Sequence, residues 1–193
     1  MRARGTGQSF LLLLDVIDIL DKLAIPYAII GAFAASFHGV VRASMDADAM
    51  ISLPSGEADG KVLMAKLRRA GLKGTYRKGD VSDPVGAVIN VEDKFGNRVD
   101  LLMNIRRVPE ASFSRTVEAR FQNRKIRLIG VEDFIAMKIF AGSPKDLSDV
   151  TGVLKISRRR INRVLLRELV RSYGRGASQT LESLLKESAR RVV

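Results

Sequence analysis

Apolar residues fall into stripes of helical period separated by short runs of strand period. Leu12, Leu13, Val16, Ile19, Leu20 and Leu23 share one face, with Asp15, Asp18, Asp21 and Lys22 largely elsewhere. This spacing predicts an amphipathic helix over 9–24, with Ser9 as its N-cap. Pro26 breaks it, and residues 27–30 read as a short buried strand ending at Gly31. A short helix from Ala32 to Phe37, ended by His38-Gly39, leads to a second strand over 46–52. Pro54-Ser55 open a further helix with Val62, Leu63 and Leu67 as its stripe, closed by Gly71. Two extended runs, 86–92 and 98–103, flank the turn-rich Asp93–Asn97 and read as a hairpin; residues 125–129 form one more strand. A helix then begins at Val131 and carries Phe134, Ile135, Met137, Lys138 and Ile139. Gly142-Ser143-Pro144 punctuates it, Lys145 to Ile156 continues helically, and the last forty residues are helical and basic.

The alternation of strands and helices predicts an α+β fold, a mixed sheet flanked by helices. At 193 residues the chain makes one domain or at most two. The expected division is an α/β part over 1–130 and a basic helical part over 131–193. Aromatics are 6% with no Trp, so the core is built from Leu, Ile, Val and Ala. The absence of Cys excludes disulfides, thiolate catalysis and Cys-ligated zinc, and a single His excludes His-rich metal sites. A resident metal would therefore be held by carboxylates, which suits Mg²⁺ or Mn²⁺. The run Phe10–Leu14 is too short for a secretory core or a membrane span. The expectation is a cytoplasmic protein with no membrane partner.

Charge adds a direction. Lys and Arg number 33 against 21 Asp and Glu, a formal +12, and residues 155–193 hold eleven of the bases with only three acids. Arg158-Arg159-Arg160, Arg163, Arg167 and Arg171 are spaced as a basic ridge on a helix. Such a ridge is either a solvated face or a surface that follows nucleic-acid phosphates.

The candidate chemistry lies in residues 27–51. Asp46 and Asp48 sit at i and i+2 of an apolar strand, so both carboxylates share one face. Two adjacent carboxylates repel unless a divalent cation lies between them. Asp100 stands in a similar apolar run, and a strand placed beside 46–52 would bring three Asp to one ion that bridges phosphates and activates a hydroxyl. Gly31, between strand and helix, lets backbone N–H groups face an anion. The alternative is a capped strand end and an ordinary tight turn. His38, before a Gly at a helix end, more often bonds a carbonyl than acts as a base. Arg42 either pairs with the carboxylates or binds phosphate. Lys138 either meets phosphate or snorkels past the core, and Lys145-Asp146 with Asp149 could be only a helix start.

Taken in order, Gly31-Ala32, a thirteen-residue spacer, Asp46-Ala47-Asp48 and a later Asp100 resemble the DNA polymerase β-like nucleotidyltransferase superfamily. Gly31, Ala35, His38-Gly39, Arg42, Ser44, Val131–Lys138 and Pro144–Val150 resemble one branch, the small bacterial nucleotidyltransferases that include the AbiEii toxins of toxin–antitoxin systems. The likeness spans roughly residues 9–155. It implies the polymerase β-like fold with a helical C-terminal part, and transfer of a nucleoside monophosphate from an NTP to an acceptor with release of pyrophosphate. It implies Asp46, Asp48 and Asp100 as catalytic residues and ligands of Mg²⁺ or Mn²⁺, with Asp100 helping to activate the acceptor hydroxyl. It further implies a nucleotide site drawn from Gly31, Ala32, Arg42, Ser44, Lys138, Lys145 and Asp146. Ala32 departs from the family's Gly or Ser and removes one hydroxyl contact to phosphate, a loss of about 1.5–3 kcal/mol if nothing replaces it.

Three functions compete on these residues. The first is transfer to RNA, with tRNA as acceptor, by a toxin that has a cognate antitoxin protein. The second is AMP transfer to a partner protein by an antitoxin-type enzyme. The third is a non-catalytic nucleotide- or RNA-binding module on the same scaffold.

Overall fold

A computed structural model describes residues 3–53, 57–121, 123–157 and 160–190. Its elements run α1 (Ser9–Lys22), β1 (Tyr27–Ile29), α2 (Gly31–Phe37), β2 (Asp46–Ile51), α3 (Glu57–Arg69), β3 (Lys73–Lys78), β4 (Val85–Glu92), β5 (Arg98–Ile105), β6 (Val117–Phe121), β7 (Arg124–Leu128), α4 (Val131–Ala141), α5 (Pro144–Ile156), α6 (Arg163–Ser172) and α7 (Arg175–Arg190). The strands make one mixed seven-stranded sheet in the order β3-β4-β5-β2-β1-β7-β6. β2 runs parallel to β5 and β1 parallel to β7, while the other neighbours are antiparallel. The fold is α+β, with helices on both faces, as the alternation of periods predicts.

Each strand alternates its side chains between two differently covered faces. Ala47, Ala49 and Ile51 of β2, Val99 and Leu101 of β5 and Ile89 of β4 join Leu12, Leu13, Leu20, Leu63 and Leu67 in a core under α1 and α3. The opposite face is covered only in part. Ala28 and Met50 pack with Ala34 and Ala35 of α2 and with Phe134, Ile135, Val150, Val153, Leu166 and Leu181 of the C-terminal helices. That second core reaches Met50 of β2 and, at its margin, Leu102 and Ile105 of β5, and Asp46, Asp48 and Asp100 stand beside it on the same face.

Local chemistry explains the ends of the helical part. Ser143 caps α5 by accepting from the Asp146 N–H at 3.1 Å, and its hydroxyl donates to Asp146 Oδ2 at 2.6 Å, with Pro144 in the first turn. Gly142 closes α4 at φ 69°. Asn162 caps α6 by accepting from the N–H groups of Val164 and Leu165.

The structure differs from the sequence reading in several places. Ser9 is not the N-cap of α1; Gln8 holds that position. Ser9 is buried, donating to the Met45 carbonyl at 2.5 Å and accepting from the Arg98 N–H at 3.1 Å, so it ties the start of α1 to β2 and β5. Val62 is 49% exposed, and Leu63 and Leu67 carry the buried stripe of α3. Strand β3 has no apolar alternation to announce it and is held by backbone pairing to β4. Strand β6 does alternate, with Val117, Ala119 and Phe121 between Glu118 and Arg120, although the sequence reading omits it. It pairs with β7, and Ala119 packs on the core while Phe121 meets Phe10. The basic C-terminal run is not one ridge: Arg160 lies in a turn, while Arg163, Arg167 and Arg171 lie on α6, where Arg167 pairs with Glu182. Pro54, Ser55, Arg158 and Arg159 lie outside the described residues.

Candidate active site

The parallel register of β2 and β5 sets Asp48 beside Asp100 and Asp46 beside Arg98. Because Asp46, Asp48 and Asp100 all lie on the partly covered face, three carboxylates from positions far apart in the chain occupy one patch of sheet. Burial pushes the Asp48 carboxyl above its usual range, the charges of Asp100 and Asp46 push the same way, and Lys138 and Arg42 oppose them. Asp100 belongs to two adjoining clefts. One, of 220 Å³, is bordered by Asp46, Thr75, Asn90 and Asp100; the other, of 390 Å³, by Asp48, Arg77, Val88 and Asp100.

The side chains do not converge on a single point. Among the described residues, no three acidic or imidazole groups form a ready-made ion cage. Asn90, the register partner of Asp100 on β4, donates from Nδ2 to Asp100 Oδ1 at 2.7 Å and engages that carboxylate from the β4 side. The residues nevertheless fit a divalent cation in their chemistry. They are hard oxygen donors on neighbouring strands, and their mutual repulsion at Asp48 is relieved by positive charge.

Gly31 adjoins the acids from the other side. It opens α2 at φ +64°, and a Cβ placed on it would lie 2.0 Å from Asp48 Oδ2. The carboxylate thus fills the space a side chain would take, and only Gly fits. Ala32, in the same turn, is 3% exposed. Its methyl is packed away, leaving the backbone N–H as its polar contribution.

A band of paired charges lies alongside. Lys138 of α4 donates to Asp146 Oδ1 at 2.5 Å and lies 3.1 Å from Asp149 Oδ2. Asp149, buried on α5, also meets Arg42 Nε at 3.2 Å. Burial pushes Asp146 up, but the bonds from Lys138 and Ser143 outweigh it and hold the carboxyl below its ordinary value. Arg42 is therefore paired with Asp149 and not with the strand carboxylates. Ser44 is exposed and donates to the Asp46 carbonyl at 2.9 Å, and Lys145 is exposed on the first turn of α5. His38 is buried with Nε2 3.0 Å from the Ile129 carbonyl, an anchor between α2 and the strand end, and burial lowers its pKa.

Sequence reasoning missed Asn90 and Arg77. Asn90 interrupts the apolar run Ala87–Val91 on the acid-bearing face, a detectable signal. Arg77 sits on β3, which has no apolar pattern. The arrangement can hold cations on its carboxylates, oppose phosphate with Lys138 and Arg42, and admit a substrate from the open side of the sheet.

Solved structures share this architecture. The crystal structure of ANT(2″)-Ia in complex with adenylyl-2″-tobramycin matches at TM-score 0.58 and 18% identity, covering 84% of this chain and 97% of that one. An antigenic nucleotidyltransferase-like protein from Paracoccidioides brasiliensis matches at TM-score 0.54 and 14% identity, covering 97% and 92%. No curated protein matches the chain. At these identities the two structures establish a common fold. The lineage comes from the family model described as "Nucleotidyl transferase of unknown function (DUF2204)", which matches residues 14–187, a span holding the whole cleft, and the chain accordingly belongs to that family of nucleotidyltransferases.

Proposed function

We propose that the enzyme transfers a nucleoside monophosphate from an NTP to the hydroxyl of an RNA acceptor, tRNA in particular, at the carboxylate patch. The observation that carries the reading is the register pairing of Asp48 with Asp100, with Asp46 two residues along the same strand. Asp46, Asp48 and Asp100 would hold Mg²⁺ or Mn²⁺, which when bound supplies charge neutralisation of the triphosphate and acidifies the attacking hydroxyl.

The chain's own residues supply the rest. Asp100 takes the proton of the acceptor hydroxyl as its oxygen bonds to the α-phosphorus. The bond from that phosphorus to the bridging β-phosphate oxygen breaks, and pyrophosphate leaves. Gly31 and the Ala32 N–H face the triphosphate, and Lys138 and Arg42 offset its charge. Ser44 positions Asp46 through its carbonyl, and Lys145 with Asp146 lines the nucleotide or acceptor side. Asn90 orients Asp100.

The RNA acceptor is supported by the formal +12 charge and by the exposed Arg160, Arg163 and Arg171 of the helical part. We keep the division at residue 130 in this sense: the sheet part carries the acids, and the helical part carries Lys138 and the basic surface. The AbiEii-type branch, a toxin role with a cognate antitoxin and a cytoplasmic setting extend the same proposal. Among the described residues no helix is long and apolar enough to cross a membrane.

The test is incubation with each labelled NTP, Mg²⁺ and total tRNA. Label enters RNA and is lost with Asp46→Ala. No label with any NTP, or undiminished label from Asp46→Ala, refutes the site. Label on a polypeptide in a cell extract, with none on RNA, transfers the reading to a protein acceptor.

A further inference from the structure

The face of the sheet opposite the three aspartates carries a second and larger concavity. It lies between α3 and the β3-β4-β5 edge and has a volume of 1020 Å³. Met64 and Leu72 from the helix side and Tyr76 and Met103 from the strands form its apolar surface. Tyr76 is 54% exposed, a large ring left in water. Gly74 lets helix and strand close together at one end, since a Cβ there would lie 2.9 Å from Met64 Sδ.

The rim has one sign of charge. Arg68, Lys73 and Lys78 line the concavity, and among the described residues its lining holds no Asp or Glu. None of these three forms an ion pair among the described residues. An apolar wall under unpaired cations is complementary to a molecule with an apolar body and one anionic end. The volume suits a drug-sized ligand at the upper end of the usual range of about 300–1,000 Å³.

We propose that this concavity binds a small amphipathic anion, a carboxylate or phosphate on an aliphatic or aromatic body. The apolar part rests on Met64, Tyr76 and Met103, and the anionic end meets Arg68 and Lys78. The site lies on the reverse of the sheet from the nucleotide cleft and does not depend on the transferase reading.

The test uses the full chain, with decanoate, decanol and decyltrimethylammonium as probes below their micellar concentrations. Methionine methyl NMR signals provide the readout. Decanoate is expected to saturate at one equivalent and to shift Met64 and Met103 while leaving Met50, on the other face, unmoved. Decyltrimethylammonium is expected not to bind. Arg68→Glu with Lys78→Glu weakens decanoate about tenfold and leaves decanol unchanged. Ala65→Phe, which adds a ring inside the concavity, blocks both; the charge reversals on the exposed rim keep the test decisive should that variant not fold. Equal response to all three probes, or binding that leaves Met64 and Met103 unmoved, overturns the proposal. So does a dimer whose formation perturbs those two signals, which assigns the groove to a second copy. Binding of an acidic amphipathic peptide without binding of decanoate overturns it in favour of a protein partner.

Discussion

Gly31 and Asp48 occupy mutually exclusive space: the Asp48 carboxylate lies where a Cβ on residue 31 would be, at 2.0 Å. The strand-to-helix turn and the acid strand are therefore a single unit. Gly31→Ala meets both this clash and a φ of +64°, and is expected to cost about 1–3 kcal/mol. Chemical denaturation reads the loss. Because the displaced group is Asp48, transferase activity should fall further than stability does.

Asp48 is itself held in unfavourable surroundings. Its pKa is raised by burial, then by Asp100 and Asp46. A raised carboxyl contributes stability when protonated and loses it as pH rises through the folded value, so at neutral pH its charge weakens the fold. Asp48→Asn should raise the melting temperature by about 2–4 °C in the absence of divalent ions while cutting turnover by on the order of 10²–10³-fold. Added Mg²⁺ should stabilise the wild type and not the variant. A variant less stable than wild type under metal-free conditions contradicts this account.

Asn90 acts on Asp100 through one hydrogen bond of 2.7 Å. Asn90→Ala should cost about 0.5–1.5 kcal/mol of stability. Activity should drop by about tenfold, with kcat changing more than the KM for NTP, because the acceptor-activating carboxylate loses its orientation. Asn90→Ser, which keeps a donor, should recover part of it.

Asp149 holds two cations at once. Its removal leaves Arg42 and Lys138 facing each other near Asp48 without the buried carboxylate that now lies between them. Asp149→Ala is expected to destabilise by about 3 kcal/mol, measured by urea unfolding, while Asp146→Ala, at a more exposed position, should cost less.

His38 predicts a pH dependence. Burial lowers its pKa, against the pull of the Ile129 carbonyl and Glu132. The unfolded chain therefore binds the proton first. The stability of the neutral, buried ring is complete above the ordinary histidine value and is lost as pH falls from there toward the folded one. Unfolding free energy should decline as the pH falls through and below the ordinary histidine value of about 6.5. His38→Gln should flatten that slope, and an unchanged slope would exclude His38 as its source.

Much of the architecture was readable before any coordinates. The stripe from Leu12 to Leu23, the break at Pro26, the turn at Gly31 and the two-residue spacing of Asp46 and Asp48 are local properties. Backbone geometry translates them into a helix, a bend and a pair of carboxylates on one face without reference to the rest of the chain. The same holds for Ser143-Pro144 at the start of α5. Strand β3 was not readable, because a polar strand owes its existence to a partner that supplies backbone hydrogen bonds; β6 carries a readable alternation, Val117, Ala119 and Phe121, over only five residues. The basic run near residue 160 misled for a related reason: spacing suggests one helix, but Asn162 caps a new one and Glu182 claims Arg167.

What the sequence by itself determined is the inventory: three carboxylates in apolar runs, a Gly before a helix, and cations late in the chain. What only the tertiary structure decided is who faces whom. Asp48 meets Asp100 because β2 and β5, some fifty residues apart, pair in one register, and a shift of a single residue would turn Asp100 to the opposite face. Asn90 reaches Asp100, and Arg42 reaches Asp149, across contacts that no local period encodes. Long-range pairing is chosen by burying both faces of the sheet together, and that choice belongs to the whole chain.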